Sequence, residues 1–159
     1  MRIAHVGLTP LRKLLTEFGL RVKLVPEDED IPGSHWGDDE AGLIQNTLYV
    51  RLDTPIHSAL HEACHWLLMD NDRRETLHTD AGGTAEEENA VCYLQIVLSE
   101  SIAGFGRERC FDDMDAWGYS FRLGSTRDWF FADAEDAQAA LAEHIAQQEP
   151  RLKPYWTDH

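Results

Sequence analysis

The stretch Thr54-Pro55-Ile56-His57-Ser58-Ala59-Leu60-His61-Glu62-Ala63-Cys64-His65-Trp66-Leu67-Leu68-Met69 sets the terms for everything around it. Thr-Pro is a helix-start signal, because Thr caps the first amides and Pro at the first helical position has none left to satisfy. A helix over about 55–69 follows. At ~100° per residue, Ile56, Ala59, Leu60, Ala63, Cys64, Trp66 and Leu67 fill one side, and His57, Ser58, His61, Glu62 and His65 fill the other. An ordinary solvent face of that length would carry Lys, Arg or Gln, and this one has none. The polar arc therefore reads as a lined site. His61-Glu62-Ala63-Cys64-His65 is an HExxH on a helix: residues i and i+4 lie ~40° apart, so both imidazoles converge on one metal ion. Glu62 sits beside them, placed to hold a water on the metal and accept its proton. Cys64 lies ~80° from the midpoint of the histidine pair and belongs to the core.

A zinc hydrolase site of this kind takes a third protein ligand from another element and leaves a fourth position for water. Thr84 is a second N-cap, ahead of an apolar-rich stretch over 85–103 whose first turn holds Glu86, Glu87 and Glu88. On a helical wheel Glu87 lies ~40° from the mean apolar direction, Glu86 ~60° and Glu88 ~140°. Glu87 is the expected ligand and Glu86 its rival. Glu88, on the side of Gln95 and Ser99, is expected in solvent, and any of the three also complements the helix dipole. His57, one turn before His61, is either a pocket wall or an exposed histidine. His78, Tyr93 and Tyr119 are chemically able to stabilise an oxyanion, but no spacing ties them to the metal.

Upstream, apolar residues at 8, 11, 14, 15 and 18 predict a helix over Leu8 to Phe18 with Gly19 after it, and Arg21 to Val25 alternates like a half-buried strand. Glu27 to Gly42 holds seven acidic residues and a lone Trp36, a solvated loop or a lid. Leu43-Ile44 and Leu48 to Leu52 predict a strand pair or hairpin. The second of these strands, 47–52, is a candidate edge for pairing with an extended peptide. Asp70-Asn71-Asp72 is expected to end the histidine helix in a polar loop. Beyond Gly106, strands are expected at Trp117 to Leu123 and Trp129 to Ala132, then a helix over Ala134 to Gln148 capped by Asp133.

The order of a short helix, a strand pair ending in Leu48-Tyr49-Val50-Arg51, an HExxH helix and a Glu-bearing helix resembles the compact gluzincin-type zinc peptidases of the ImmA/IrrE group. Their second helix commonly reads E-x-x-A-N-x-F-A-x-x-L-L. With Glu87 on the family glutamate, Ala90 falls on the alanine, Tyr93 on the aromatic position and Val97-Leu98 on the apolar pair. Val91 stands where the asparagine is expected, and Ser99-Glu100 replaces the usual proline. The likeness covers about residues 8–100. It implies a zincin-like fold and zinc held by His61, His65 and Glu87.

The chain's 159 residues carry 29 Asp plus Glu against 14 Lys plus Arg, a formal charge of −15. That balance disfavours nucleic acid and anionic membrane surfaces as partners. No apolar run approaches the ~20 residues of a membrane span, and no signal peptide is evident before Pro10. Cys64, Cys92 and Cys110 are odd in number and read as reduced thiols of a cytoplasmic protein. The expectation is an α+β fold: a minimal zincin-like domain over 1–104, with a small antiparallel or mixed sheet packed on the HExxH helix and the Glu-bearing helix. Residues 105–159 form a C-terminal extension packed on the same domain. The expected activity is zinc-dependent hydrolysis of a peptide bond in a protein substrate, with Glu62 as general base. The alternative is a catalytically silent binding or regulatory module on the same scaffold.

Overall fold

A computed structural model of the chain describes residues 1–34, 39–77 and 83–156. Trp36 and His78 lie outside the described residues. Two short helices, α1 (Ile3–Val6) and α2 (Thr9–Thr16), precede β1 (Arg21–Leu24). β2 (Gly42–Ile44) and β3 (Thr47–Val50) follow, then α3 (Ile56–Leu68), α4 (Asn71–Thr76) and α5 (Ala85–Ser99). The C-terminal third is helical: α6 (Gly106–Trp117), α7 (Thr126–Ala132), α8 (Glu135–Gln147), a 3₁₀ turn (Pro150–Leu152) and α9 (Lys153–Trp156). The fold is α+β, mostly helical, around one three-stranded mixed sheet. Among the described residues no helix is long and apolar enough to cross a membrane.

The sheet is ordered β1-β3-β2. β1 runs parallel to β3 with Val22 opposite Leu48, and β2 runs antiparallel with Leu43 opposite Leu48. The Gln45-Asn46 turn between β2 and β3 is tight enough to hold Gln45 at φ 52. Leu43, Leu48 and Val50 are fully buried, and they meet α3 from the sheet's covered face. Strand addition at β3 is ruled out by this order, because both of its edges are already hydrogen-bonded within the sheet. The backbone of Pro32 to Ser34 lies directly against Gly42 and Leu43 of β2.

α3 begins one residue later than expected. Pro55 is its N-cap in extended conformation, while the Thr54 hydroxyl accepts from the Arg51 amide at 2.8 Å rather than capping the helix. Asp70 does not simply end it. Its carboxylate accepts from the Arg73 amide at 2.8 Å and starts α4, so an expected loop becomes a short helix. Thr84 caps α5 as expected, accepting from the Glu87 amide at 3.2 Å.

α5 is the helix around which the others are arranged, packed by α3, α6, α8 and α9. Every residue from Ala90 to Ser99 is buried, Gln95 and Ser99 included. The two strands expected after Gly106 are corrected: Trp117 ends α6, and Trp129 to Ala132 lies in α7. Their aromatic residues suit either state by propensity, and helix packing decides. Trp129 stacks on Phe121 at 4.5 Å, and Phe130 on Tyr93 of α5 at 4.4 Å. Asp133 pairs with Arg122 instead of capping α8. The C-terminal helices share the main core, since Cys110, Phe111, Met114, Phe130 and Leu141 are buried in one cluster with Leu60, Leu67 and Leu94.

Candidate metal centre

The polar arc of α3 does not face solvent. His57, Ser58 and His65 are buried, and the arc packs against one stripe of α5 and the turn after α6. That stripe is Glu88, Cys92, Gln95 and Ser99, at i, i+4, i+7 and i+11, so the polar residues of two apolar helices meet each other.

At its solvent end stand His61, His65 and Glu88. The Glu88 carboxylate reaches both rings, with Oε1 at 2.8 Å from His61 Nε2 and Oε2 at 3.0 Å from His65 Nε2. The ring centroids are 4.9 Å apart. Two nitrogens and one oxygen thus lie within 4.8 Å of one another, the one such group of potential metal ligands among the described residues. Donors of a tetrahedral zinc ion stand about 3.3 Å apart for bonds of ~2.0–2.1 Å. The donors, within 4.8 Å of one another, would close by up to about 1.5 Å to reach that spacing, a change that side-chain rotation of the half-exposed Glu88 can supply. Nitrogen, nitrogen and carboxylate are also the donor types that zinc takes in hydrolytic sites.

Glu88 lies on the exposed side of α5 as expected, yet it is Glu88 and not the expected Glu87 whose carboxylate meets the two rings. Glu87 is bound by Arg73, whose guanidinium donates to both carboxylate oxygens at 3.0 Å, and its nearer approach to the pair is 3.9 Å from His65 Nδ1. Glu86 is not among the grouped donors. The wheel ranked burial correctly, with Glu87 the least exposed of the three, but it took the mean apolar direction as the direction of the site, and the donors meet instead at the exposed first turn on the polar stripe. The useful signal was Gln95, a polar residue seven positions after Glu88 within an otherwise apolar run. The register that matched Ala90 and Tyr93 to the family motif is likewise one residue away from the glutamate that meets the histidines.

Gln95 fixes the state of His61. Its Nε2 donates to the His57 carbonyl at 2.9 Å, which leaves Oε1 to accept from His61 Nδ1, also at 2.9 Å. His61 therefore carries a proton on Nδ1 and offers Nε2 to the centre, the outer-contact arrangement typical of metal-bound histidines. Burial alone would lower the His61 pKa, but contacts with the Cys92 thiol and Glu88 outweigh it and hold it well above the ordinary value. Glu88 responds in the opposite sense: burial pushes it up, and the hydrogen bonds from His61 and His65 pull it well below the carboxylate range. A cation would have to displace the Nε2 proton, so its affinity weakens as the pH is lowered.

The cleft above these groups has a volume of about 270 Å³. Glu40, Glu62, Trp117 and Tyr119 share its lining with His57, His61 and Glu88. Burial raises the Glu62 carboxyl, and the neighbouring His61 and His65 rings work against that shift. Tyr119 reaches the cleft through the end of α6. Gly118, at φ 107, lets the chain reverse as the amides of Gly118 and Tyr119 return to the carbonyls of Asp115 and Met114. The Tyr119 ring packs edge-on against His57 and His61, with centroids 5.6 Å from each, and its hydroxyl lies 3.4 Å from His57 Nδ1. Tyr93 is elsewhere, its hydroxyl accepting from Gln138 at 2.7 Å. A larger cleft of about 510 Å³ between Phe18, Trp66, Arg74 and Arg151 has no grouped metal donors among the described residues.

His57 is the buried wall of the site, and burial lowers its pKa to about 4. Between pH 6.5 and 4 the unfolded chain binds a proton that the folded chain refuses, so stability falls as pH drops through that window. The loss attributable to His57 between pH 7 and 5 is about 2 kcal/mol. Urea unfolding of wild type and His57→Gln at both values measures it, and the variant should lose correspondingly less on acidification. Equal losses would remove His57 from the account.

The three cysteines are buried free thiols. Burial raises Cys110 to about 12 and Cys64 well above the thiol range, which makes both packing residues. No family model, no curated protein and no solved structure matches this chain.

Proposed function

We propose that the chain is a zinc-dependent metallopeptidase of the gluzincin type, acting on a peptide bond of a protein or peptide substrate. One observation carries the reading: the two HExxH imidazoles and one carboxylate from a second helix converge, with the motif's own glutamate lining the same cleft. His61, His65 and Glu88 would hold the ion, which when bound supplies a Lewis acid for the attacking water and the scissile carbonyl.

The remaining work falls to side chains of the chain. Gln95 keeps the His61 ring in one tautomer. Glu62 takes the proton from the attacking water and returns it to the departing amine. Its raised carboxyl suits that double role, because a group that both accepts and releases a proton near neutrality serves best when its pKa lies above the ordinary carboxylate value. Tyr119, His57 and Trp117 wall the cleft.

The test is direct. Protein purified with zinc supplied should contain about one equivalent by elemental analysis and should cleave members of a mixed peptide library, with loss on chelation and return with added zinc. A zinc-loaded protein that cleaves nothing would support the silent binding module instead. A protein that takes up no zinc would remove both readings.

A further inference from the structure

We infer that Glu87 serves the centre from behind His65: held by Arg73, it accepts the Nδ1 proton of His65 and so fixes that ring with Nε2 toward Glu88. The inference rests on the proposed zinc reading and adds a positioning pair, Glu87 and Arg73, to it.

His65 is 5 % exposed, and its Nδ1 atom is shielded from solvent with no hydrogen-bond partner among the described residues. A buried polar group left unpaired is costly, and the imidazole has to carry its proton on Nδ1 if Nε2 is to bind a cation. Glu87 Oε1 stands 3.9 Å from that nitrogen, under 1 Å beyond hydrogen-bond range. Consecutive residues on a helix diverge by ~100°. Glu88 thereby meets the Nε2 side of the ring while Glu87 flanks the Nδ1 side.

Arg73 determines which of the two acids does which job. It donates one hydrogen bond to each Glu87 oxygen at 3.0 Å, a bidentate pairing that neutralises the carboxylate and holds it off the ion's position. Gly83 leaves room for this pose, since a side chain there would start 2.8 Å from Glu87 Oε1. Asp70, by capping α4, orients the helix that delivers Arg73. The centre then has an acceptor behind each imidazole, Gln95 for His61 and Glu87 for His65.

The test uses zinc-loaded full-length protein, chelator competition for zinc affinity, and nitrogen-correlated NMR of the histidine rings. Glu87→Leu removes the acceptor and should weaken zinc 10–100-fold, the usual range for an outer contact, with the His65 Nδ1 proton lost to exchange. Glu87→Gln, which keeps an oxygen there, should recover most of the affinity and the proton signal. Glu88→Gln should not bind stoichiometrically. The inference is overturned if Glu87→Leu changes neither readout, if affinity falls while the His65 proton is unmoved, or if Glu87→Gln fails as completely as Glu88→Gln, which would make Glu87 a ligand. Wild type that binds no zinc overturns the metal reading and this role with it. Loss in Glu88→Gln with no change in Glu87→Leu overturns this role alone.

Discussion

Glu88→Gln should abolish stoichiometric zinc binding near neutral pH. The carboxylate bridges two imidazole nitrogens at 2.8 and 3.0 Å, and it is the anionic member of the only donor group among the described residues. An amide keeps the shape but not the charge, so it is a poor zinc ligand. Structural zinc sites are worth about 10–16 kcal/mol in all, and losing one of three protein donors should weaken binding by roughly 10³-fold. The fold should survive, because α5 is held by buried apolar residues such as Val91, Leu94, Ile96 and Leu98, while the Glu88 side chain is about half exposed. Chelator competition gives the affinity, and circular dichroism the fold. Unchanged zinc affinity in a folded variant would take Glu88 out of the centre.

Glu62→Gln separates the metal from the chemistry. It should retain zinc within a few-fold of wild type and lose turnover by about 10²–10⁴-fold, the contribution of a positioned general base. The amide still hydrogen-bonds a water but cannot take its proton. The acid limb of the kcat/KM against pH profile belongs to this carboxyl, so its loss in the residual activity of the variant is a second readout. Burial by itself raises the Glu62 carboxyl, and a zinc ion bound beside it would act in the opposite direction. A variant with full zinc and full turnover would show that another group is the base, and equal loss of zinc and turnover would show that Glu62 acts on the centre's structure.

Much of the scaffold was legible along the chain. The apolar side of α3, the Thr84 cap and the β2–β3 pair all follow from period and local capping chemistry, which involve neighbours within a few residues. The C-terminal elements were less so. Trp117, Tyr119 and Trp129 carry aromatic side chains common in strands, and only their packing against α3, against α5 and on one another makes that region helix and turn. Asp70 and Thr54 illustrate the same limit at short range. Each has capping chemistry, but Asp70 uses it to begin α4 and Thr54 spends it on the Arg51 turn.

The site divides along the same line. His61, Glu62 and His65 are adjacent on one helix, so 3.6 residues per turn suffices to bring the two imidazoles to one face, and the sequence alone determined that. The choice among Glu86, Glu87 and Glu88 depends on how α5 is rotated against α3, a quantity set by four packed helices rather than by α5's own pattern. With apolar residues on every side of that helix, the mean apolar direction carries no information about which neighbour is α3. Tertiary structure turned the polar stripe of α5 toward the polar arc of α3, because each would otherwise be buried without partners. That pairing brought Glu88 to the histidines, Gln95 behind His61 and Arg73 onto Glu87.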